Sequence, residues 1–267
     1  MDQRSVYLRR QIVRVLAAAR RGHVGSALSI VEILRVLYDD VLRHDARDPK
    51  RPDRDRFILS KGHGCLALYV ILADKGFIDE DELWRFCQVD GLLGGHPETK
   101  VPGIEASTGS LGHGLGIAVG MAVNAKREAH DHRTFVLVGD GECNEGAVWE
   151  AALFAAKYAL DNLTVLIDYN QQQSYSSTHE VLELEPLGDK WRSFGFEVND
   201  VDGHDVTQLR AVLNGVATKP RALICHTVKG KGIPGVERNL EWHHKSRVSD
   251  AEIDQLLSAL DELHADA

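Results

Sequence analysis

Two apolar runs, FVLVGDG at residues 135–141 and LTVLIDYN at 163–170, are joined by EGAVWEAALFAAKYAL at 145–160, and this unit limits the possible folds more than any other stretch. The outer runs are strands by their β-branched and apolar content, and the alanine-rich segment between them is a helix by its length. Strand, helix and strand in succession make the unit of a parallel sheet. RFILSKGHG at 56–64 reads as a further short strand running into glycines, and RALICHTVKGKG at 221–232 as another that ends in a Gly and Lys loop. The expected fold class is α/β, a doubly wound and mostly parallel sheet with helices on both faces, forming one domain over residues 1–267.

Helical patterns flank this unit. YLRRQIVRVLAAAR sets Leu8, Ile12 and Leu16 at i, i+4 and i+8 with arginines between them, an amphipathic pattern that ends at RGHVGSALS, read as a glycine-containing turn. SIVEILRVLYDDVL predicts a second helix capped by Ser29, and HDARDPKRPDRD a charged loop interrupted by proline. Ser249 and Glu252 have capping-box spacing ahead of Ile253, Leu256, Leu257 and Leu260, which marks a last helix.

Composition narrows the ligand. Hydrophobic residues at 43% and charged residues at 27% are ordinary for a globular chain. A net charge of -9 disfavours nucleic acid and anionic membrane, which both need a positive field, and leaves small molecules or proteins. The start, MDQRSVYLRR, is charged where a signal peptide is apolar, and no run approaches the ~18 apolar residues of a membrane span. Cys65, Cys87, Cys143 and Cys225 are far apart without zinc spacing, so free thiols in the cytoplasm are expected.

In open parallel sheets ligands bind beyond the carboxyl ends of strands. GDG and Asn170 fall at two such ends, joined by one helix. Gly139 and Gly141 let the backbone approach a phosphate, while Asp140 and Asn170 offer the hard oxygens that Mg²⁺ prefers. An isolated GDG is often only a turn. Here 28 residues separate Gly141 from Asn170, and that arrangement resembles the thiamine diphosphate motif. Five segments in order, RRGHVGSALS, LSKGHGCLALY, GGHPETKVPGIEASTGSLGHGLGIAVGMA, GDGECNEGAVWEAA and TVKGKGIPGVERNLEWHHK, resemble those of transketolases over roughly residues 20 to 245. The match is to the N-terminal subunit of split transketolases, whose diphosphate-binding and pyrimidine-binding halves are separate chains.

The resemblance implies roles residue by residue. Asp140 and Asn170 would hold Mg²⁺, or Ca²⁺ or Mn²⁺ in its place, by side chain, and Gln172 by its main-chain carbonyl. His63 and His243 match histidines that line the diphosphate and the substrate channel; His23 and His96 match those that contact sugar hydroxyls and carry protons. Gly109 and Leu111 match positions whose backbone meets the aminopyrimidine, and Glu145 an acid in a proton network near a subunit interface. His113 occupies a position where relatives commonly carry glutamine. His130, His132, His226 and His264 are assigned no role, and Lys229 and Lys231 read equally as phosphate contacts or surface lysines.

The implied activity is transfer of a two-carbon ketol unit from a ketose, commonly a phosphate, to an aldehyde, with thiamine diphosphate supplying the nucleophilic carbon. The glutamate that activates the cofactor belongs to the pyrimidine-binding half, so a partner chain in an α2β2 heterotetramer is expected. Three positions depart from the family pattern: QQQSYSSTHE follows Asn170, Val24 replaces a common proline and is expected to loosen the turn at His23, and His244 replaces a common glycine. They point to a specialised relative in sugar, sulfosugar or secondary metabolism as the alternative. A noncatalytic scaffold is the minor alternative, and a nucleotide-binding fold lacks its GxGxxG or GxxxxGK[ST] signature.

Overall fold

The computed structural model describes residues 1–265. The chain opens with α1 (Gln3–Ala19), α2 (Val24–Leu28) and α3 (Val31–Val36), then β1 (Arg56–Leu59) and α4 (Cys65–Asp74). The middle is α5 (His113–Arg127), β2 (Thr134–Gly139), α6 (Gly146–Lys157) and β3 (Leu163–Tyr169). It closes with α7 (Thr178–Val181), α8 (Leu187–Ser193), β4 (Glu197–Asp202), α9 (Val206–Leu213), β5 (Arg221–His226) and α10 (Asp250–Ala265).

The strands form one parallel sheet in the order β1-β2-β3-β5-β4. Side chains alternate between its faces with a period of two. Phe57, Leu59, Phe135, Leu137, Leu166 and Leu223 point to a core built with α1, α3, α4, α9 and α10. Ile58, Val136, Val138, Val165, Ile167 and Ile224 point to a second core under α5, α6 and α8. Both faces are covered, which is why the central strands read as unbroken apolar runs. The expected α/β class and four expected strands are therefore present. The fifth, β4, is a polar edge strand paired with β5 alone among the described strands, so it carries no apolar run to reveal it.

Local expectations met three corrections. Ser29 does not cap the second helix: the N-cap of α3 is Ile30, and the Ser29 hydroxyl donates instead to Asp168 Oδ2 at 2.8 Å. RGHVGSALS is not only a turn, because Val24–Leu28 is helical with every residue buried. Val24 sits in its first turn and is fully buried. Arg9, one of the arginines spaced between the apolar residues of α1, is fully buried. The capping box is present, with Ser249 N donating to Glu252 Oε2 at 2.8 Å and Glu252 N donating to Ser249 Oγ at 3.3 Å. Among the described residues no helix is long and apolar enough to cross a membrane.

Candidate active site

β1, β2, β3 and β5 deliver their carboxyl ends to one cleft of about 260 Å³. His23, His63, His96, Gly109, Leu111, Gly139, Asp140, Gly141, Asn170, Gln172 and His243 all line it, although they are drawn from six segments of the chain. Glu145 does not; it stands exposed at the N-cap of α6, its Cβ against Gly112. The acid in the cleft is its neighbour Glu142, which is buried and accepts from Gly112 N at 2.9 Å, Gly139 N at 3.1 Å and the Ser60 hydroxyl. One carboxylate thus ties the ends of β1 and β2 to the N-terminus of α5. His113 is exposed at the start of α5 beside the Leu111 carbonyl. His130 and His226 lie at the surface and His132 is buried outside the cleft, while the His264 side chain is outside the described residues.

Two aspartates at the centre are treated differently. Asp168, wholly buried at the end of β3, accepts from Lys61 Nζ, Ser29 Oγ, Thr227 Oγ1 and Asn170 Nδ2, the last at 2.8 Å. Burial pushes its pKa up, but the Lys61 ammonium and these donors bring it below the ordinary aspartate value. Asp140, 2% exposed, accepts only from Gly141 N at 2.7 Å and Gln171 N at 2.5 Å. Burial, with the charge of Asp168 beside it, pushes Asp140 up to about 7. A buried carboxylate in this condition lacks a counter-cation.

The surrounding oxygens fit one. Because Asn170 gives its amide N–H to Asp168, its Oδ1 is turned the other way, where it meets Gln172 N at 3.0 Å. The Gln172 carbonyl already takes a positive charge, the Lys229 ammonium at 3.1 Å. One carboxylate, one amide oxygen and one carbonyl suit Mg²⁺, which completes its octahedron with phosphate and water oxygens. Among the described residues no group of three or more His, Cys, Asp or Glu forms a self-sufficient metal site. Such a cation would need the ligand's own oxygens.

The histidines form a second layer. The His23 ring lies 5.4 Å from His63, 5.7 Å from His243 and 6.3 Å from His96, with His63 also 5.7 Å from His243. Gly109, at φ +138°, brings its backbone so close that a Cβ would stand 2.9 Å from the His96 ring; a side chain there would displace the imidazole. Burial first, then neighbouring imidazoles and the lysines, lowers His23 to about 4. His243 falls to about 3 through burial and Lys229, whose Nζ donates to its Nδ1 at 2.6 Å. His63 and His96 are lowered by burial as well. Held below their ordinary value, the rings favour the neutral form near pH 7; His243 spends its acceptor nitrogen on Lys229, while His23, His63 and His96 can take or return a hydroxyl proton.

Lys61, Asp168, Glu142 and Ser26 complete the site, and none stands out in the sequence. Lys229 resolves as a site residue, 3% exposed, its pKa brought down to about 8 by burial and Lys61. The only signal for this group was position: each lies within or just after a segment that ends in a glycine-rich loop or strand end. His244 is exposed, with its ring 4.5 Å from His23. The segment after Asn170 folds back on itself through a Gln172 to Ser177 bridge.

Residues 2–262 match the family described as transketolase, thiamine diphosphate binding domain. The chain is 42% identical to one of the subunits of the apulose-4-phosphate transketolase of Phocaeicola vulgatus, over 88% of this chain and 85% of that one. It is 40% identical to the 6-deoxy-6-sulfo-D-fructose transketolase subunit SqwG of a Clostridium species, over 84% and 82%. A solved transketolase from Pichia stipitis superposes with a TM-score of 0.89 at 30% identity, covering 97% of this chain and 40% of that longer one. The curated relatives of matching length are named as subunits, which implies a partner subunit. The cleft, with Asp140 and Asn170 at its strand ends and four histidines on its walls, therefore belongs to a member of the transketolase family, of the thiamine diphosphate-binding domain kind.

Proposed function

We propose that this chain is the diphosphate-binding subunit of a split transketolase, acting with a pyrimidine-binding partner to move a two-carbon ketol unit from a ketose, commonly a phosphate, to an aldehyde. The observation that carries the reading is Asp140: buried, short of a counter-cation and set beside Asn170 and Gln172 under four neutral histidines. Asp140 Oδ, Asn170 Oδ1 and the Gln172 carbonyl would hold Mg²⁺, with Ca²⁺ or Mn²⁺ as substitutes. Thiamine diphosphate, once bound, supplies the carbon nucleophile. His63, His243 and Lys229 would lie toward its diphosphate end and Gly109 and Leu111 toward its pyrimidine end, while His23 and His96 would exchange protons with the sugar hydroxyls.

The partner has a surface to meet. Ile117 on α5 and Leu153, Phe154 and Tyr158 on α6 are exposed apolar residues on the two helices that start at the cleft, with Glu145 at their edge. Such a patch marks a protein contact, and two copies of each chain would place one complete site at each contact. Four free thiols suit the cytoplasm. A second reading concerns substrate only: His244 against His23 favours an uncommon sugar, as do relatives named for apulose 4-phosphate and 6-deoxy-6-sulfofructose.

The test is calorimetric titration of thiamine diphosphate with Mg²⁺ into the chain alone and co-purified with the product of its neighbouring gene. Binding that requires the partner, followed by ketol transfer to an aldehyde panel, is the expected result. No binding in either state sinks the reading and leaves the scaffold alternative.

A further inference from the structure

One buried charged group has no part in the site as described. Arg9 of α1 is wholly buried and spends all five of its N–H donors. Nη1 reaches Glu32 Oε1 at 2.5 Å and Ser5 O at 3.4 Å; Nη2 reaches Glu32 Oε2 at 2.9 Å and Leu28 O at 3.2 Å; Nε reaches the Lys231 carbonyl at 2.8 Å. Glu32, 3% exposed, also meets His204 Nδ1 at 2.9 Å, and Val228 N donates to His204 Nε2 at 2.9 Å. Since Nε2 accepts, the ring proton is on Nδ1 and points at the carboxylate. Both outer ends of this chain of bonds, Val228 N and Lys231 O, lie on the loop that leaves β5.

Lys229 sits between those two anchors. Its ammonium contacts His243 Nδ1 and the Gln172 carbonyl inside the cleft. The loop packs closely on the relay: Gly232 has φ +94°, and a Cβ there would stand 3.0 Å from Arg9 Cδ. Elements 170 to 220 residues away along the chain are thereby tied to one side of the site. A paired buried charge is weak evidence for stability in itself, because desolvation offsets its attraction. Its value here is geometric.

We propose that Arg9, Glu32 and His204 form a positioning relay that sets the 228–231 loop and thereby holds Lys229 at the cofactor site; the role of that site rests on the transketolase reading. His204 is the residue to change, since Glu32 keeps Arg9 as its partner when the imidazole is removed. In the full chain, His204→Ala is expected to raise amide hydrogen exchange across 227–232 while exchange in β2 and β3 stays at the wild-type level. In the complex with its partner, it is expected to weaken thiamine diphosphate binding with Mg²⁺ by about tenfold or more, the loss typical of outer partners of a site. His204→Gln retains an acceptor for Val228 N and is expected to return both readouts most of the way. Unchanged exchange in His204→Ala overturns the proposal, and so does a Gln variant no better than Ala. If the wild-type complex binds no thiamine diphosphate while exchange responds as expected, the functional reading fails and the relay stands.

Discussion

The carboxyl ends of β2 and β3 and the outer faces of α5 and α6 are adjacent regions of this molecule, finished to different degrees. At the strand ends the charged groups are heavily partnered from within the chain: Asp168 takes four donors, Glu142 three, and Lys229 three acceptors, although Ser26 Oγ, Gln172 Oε1 and Gln173 Nε2 are buried there without one. On α6, by contrast, Val148, Ala152 and Ala155 pack inward while Leu153 and Tyr158 leave more than half of their surface to solvent. The Phe154 and Tyr158 rings meet at a tilt, their centroids 4.4 Å apart. The polar strand ends are preorganised by this chain, and the exposed apolar face is the surface proposed above to meet a second one. Burial pushes both Asp140 and Glu142 up, but Glu142 has three donors and Asp140 two backbone N–H groups, and Asp140 is the group the proposed cation would satisfy.

That contrast is open to direct tests. The largest effect is expected from Asp168→Ala, which leaves Lys61 buried with no counter-charge; breaking such a pair costs about 3 to 5 kcal/mol, and urea unfolding should show it. A loss under about 1 kcal/mol would mean that the strand-end cluster is not the rigid half. Next comes Leu153→Glu with Phe154→Glu, which inserts charge into the apolar face. Association with the partner should weaken by about 2 to 4 kcal/mol, roughly 30- to 1000-fold in Kd, with the isolated chain's circular dichroism and Tm preserved. Retained co-purification would remove that face as the interface.

A third variant separates the two aspartates. Asp140→Ala is expected to reduce Mg²⁺-dependent cofactor affinity about 100-fold, at the upper end of what even outer partners of a metal site contribute, while urea stability of the cofactor-free chain does not fall. Parallel losses in Asp140 and Asp168 variants would erase the distinction drawn between them. The smallest effect is expected at the α10 cap. Hydrogen bonds from Ser249 N, Lys245 and the Ser249 hydroxyl lower Glu252 to about 2 from an ordinary value of 4.5. The folded-state pKa is depressed, so the cap's contribution is complete above about pH 4.5 and is lost as pH falls toward 2. Wild type and Glu252→Gln should therefore differ in Tm at pH 6 and converge by pH 2; a constant difference would point to packing instead of charge.

Much of the site was legible because it is local. Asp140 is flanked by glycines at the end of an apolar strand, Asn170 ends the next, and four histidines sit in glycine-rich or loop segments. Glu145 stood out in the same way, yet Glu142 is the acid in the cleft: it lies buried inside the 3₁₀ turn at Gly141–Asn144, whereas Glu145 follows that turn in extended backbone and is exposed at the N-cap of α6. Nothing in the spacing of GECNE distinguishes which of two acids three apart faces inward once a turn of that kind intervenes. Lys229 was ambiguous for a related reason: a lysine in a glycine loop is free or buried according to what packs on the loop, here Arg9 and His204.

By itself, then, the sequence determined four of the five strands, since unbroken apolar strands joined by helices require both faces to be covered, and it determined the last helix through its capping box. It also placed the chemistry at strand ends, because glycine-flanked polar residues after such strands leave the core. Only the tertiary structure decided the pairings. Ser29, Lys61 and Thr227 meet Asp168, and Glu32 joins Arg9 to His204, through contacts between 23 and 172 residues apart in the chain. Local propensity carries no information about such partners; burial does, because a charge removed from water persists only where the fold supplies its complement.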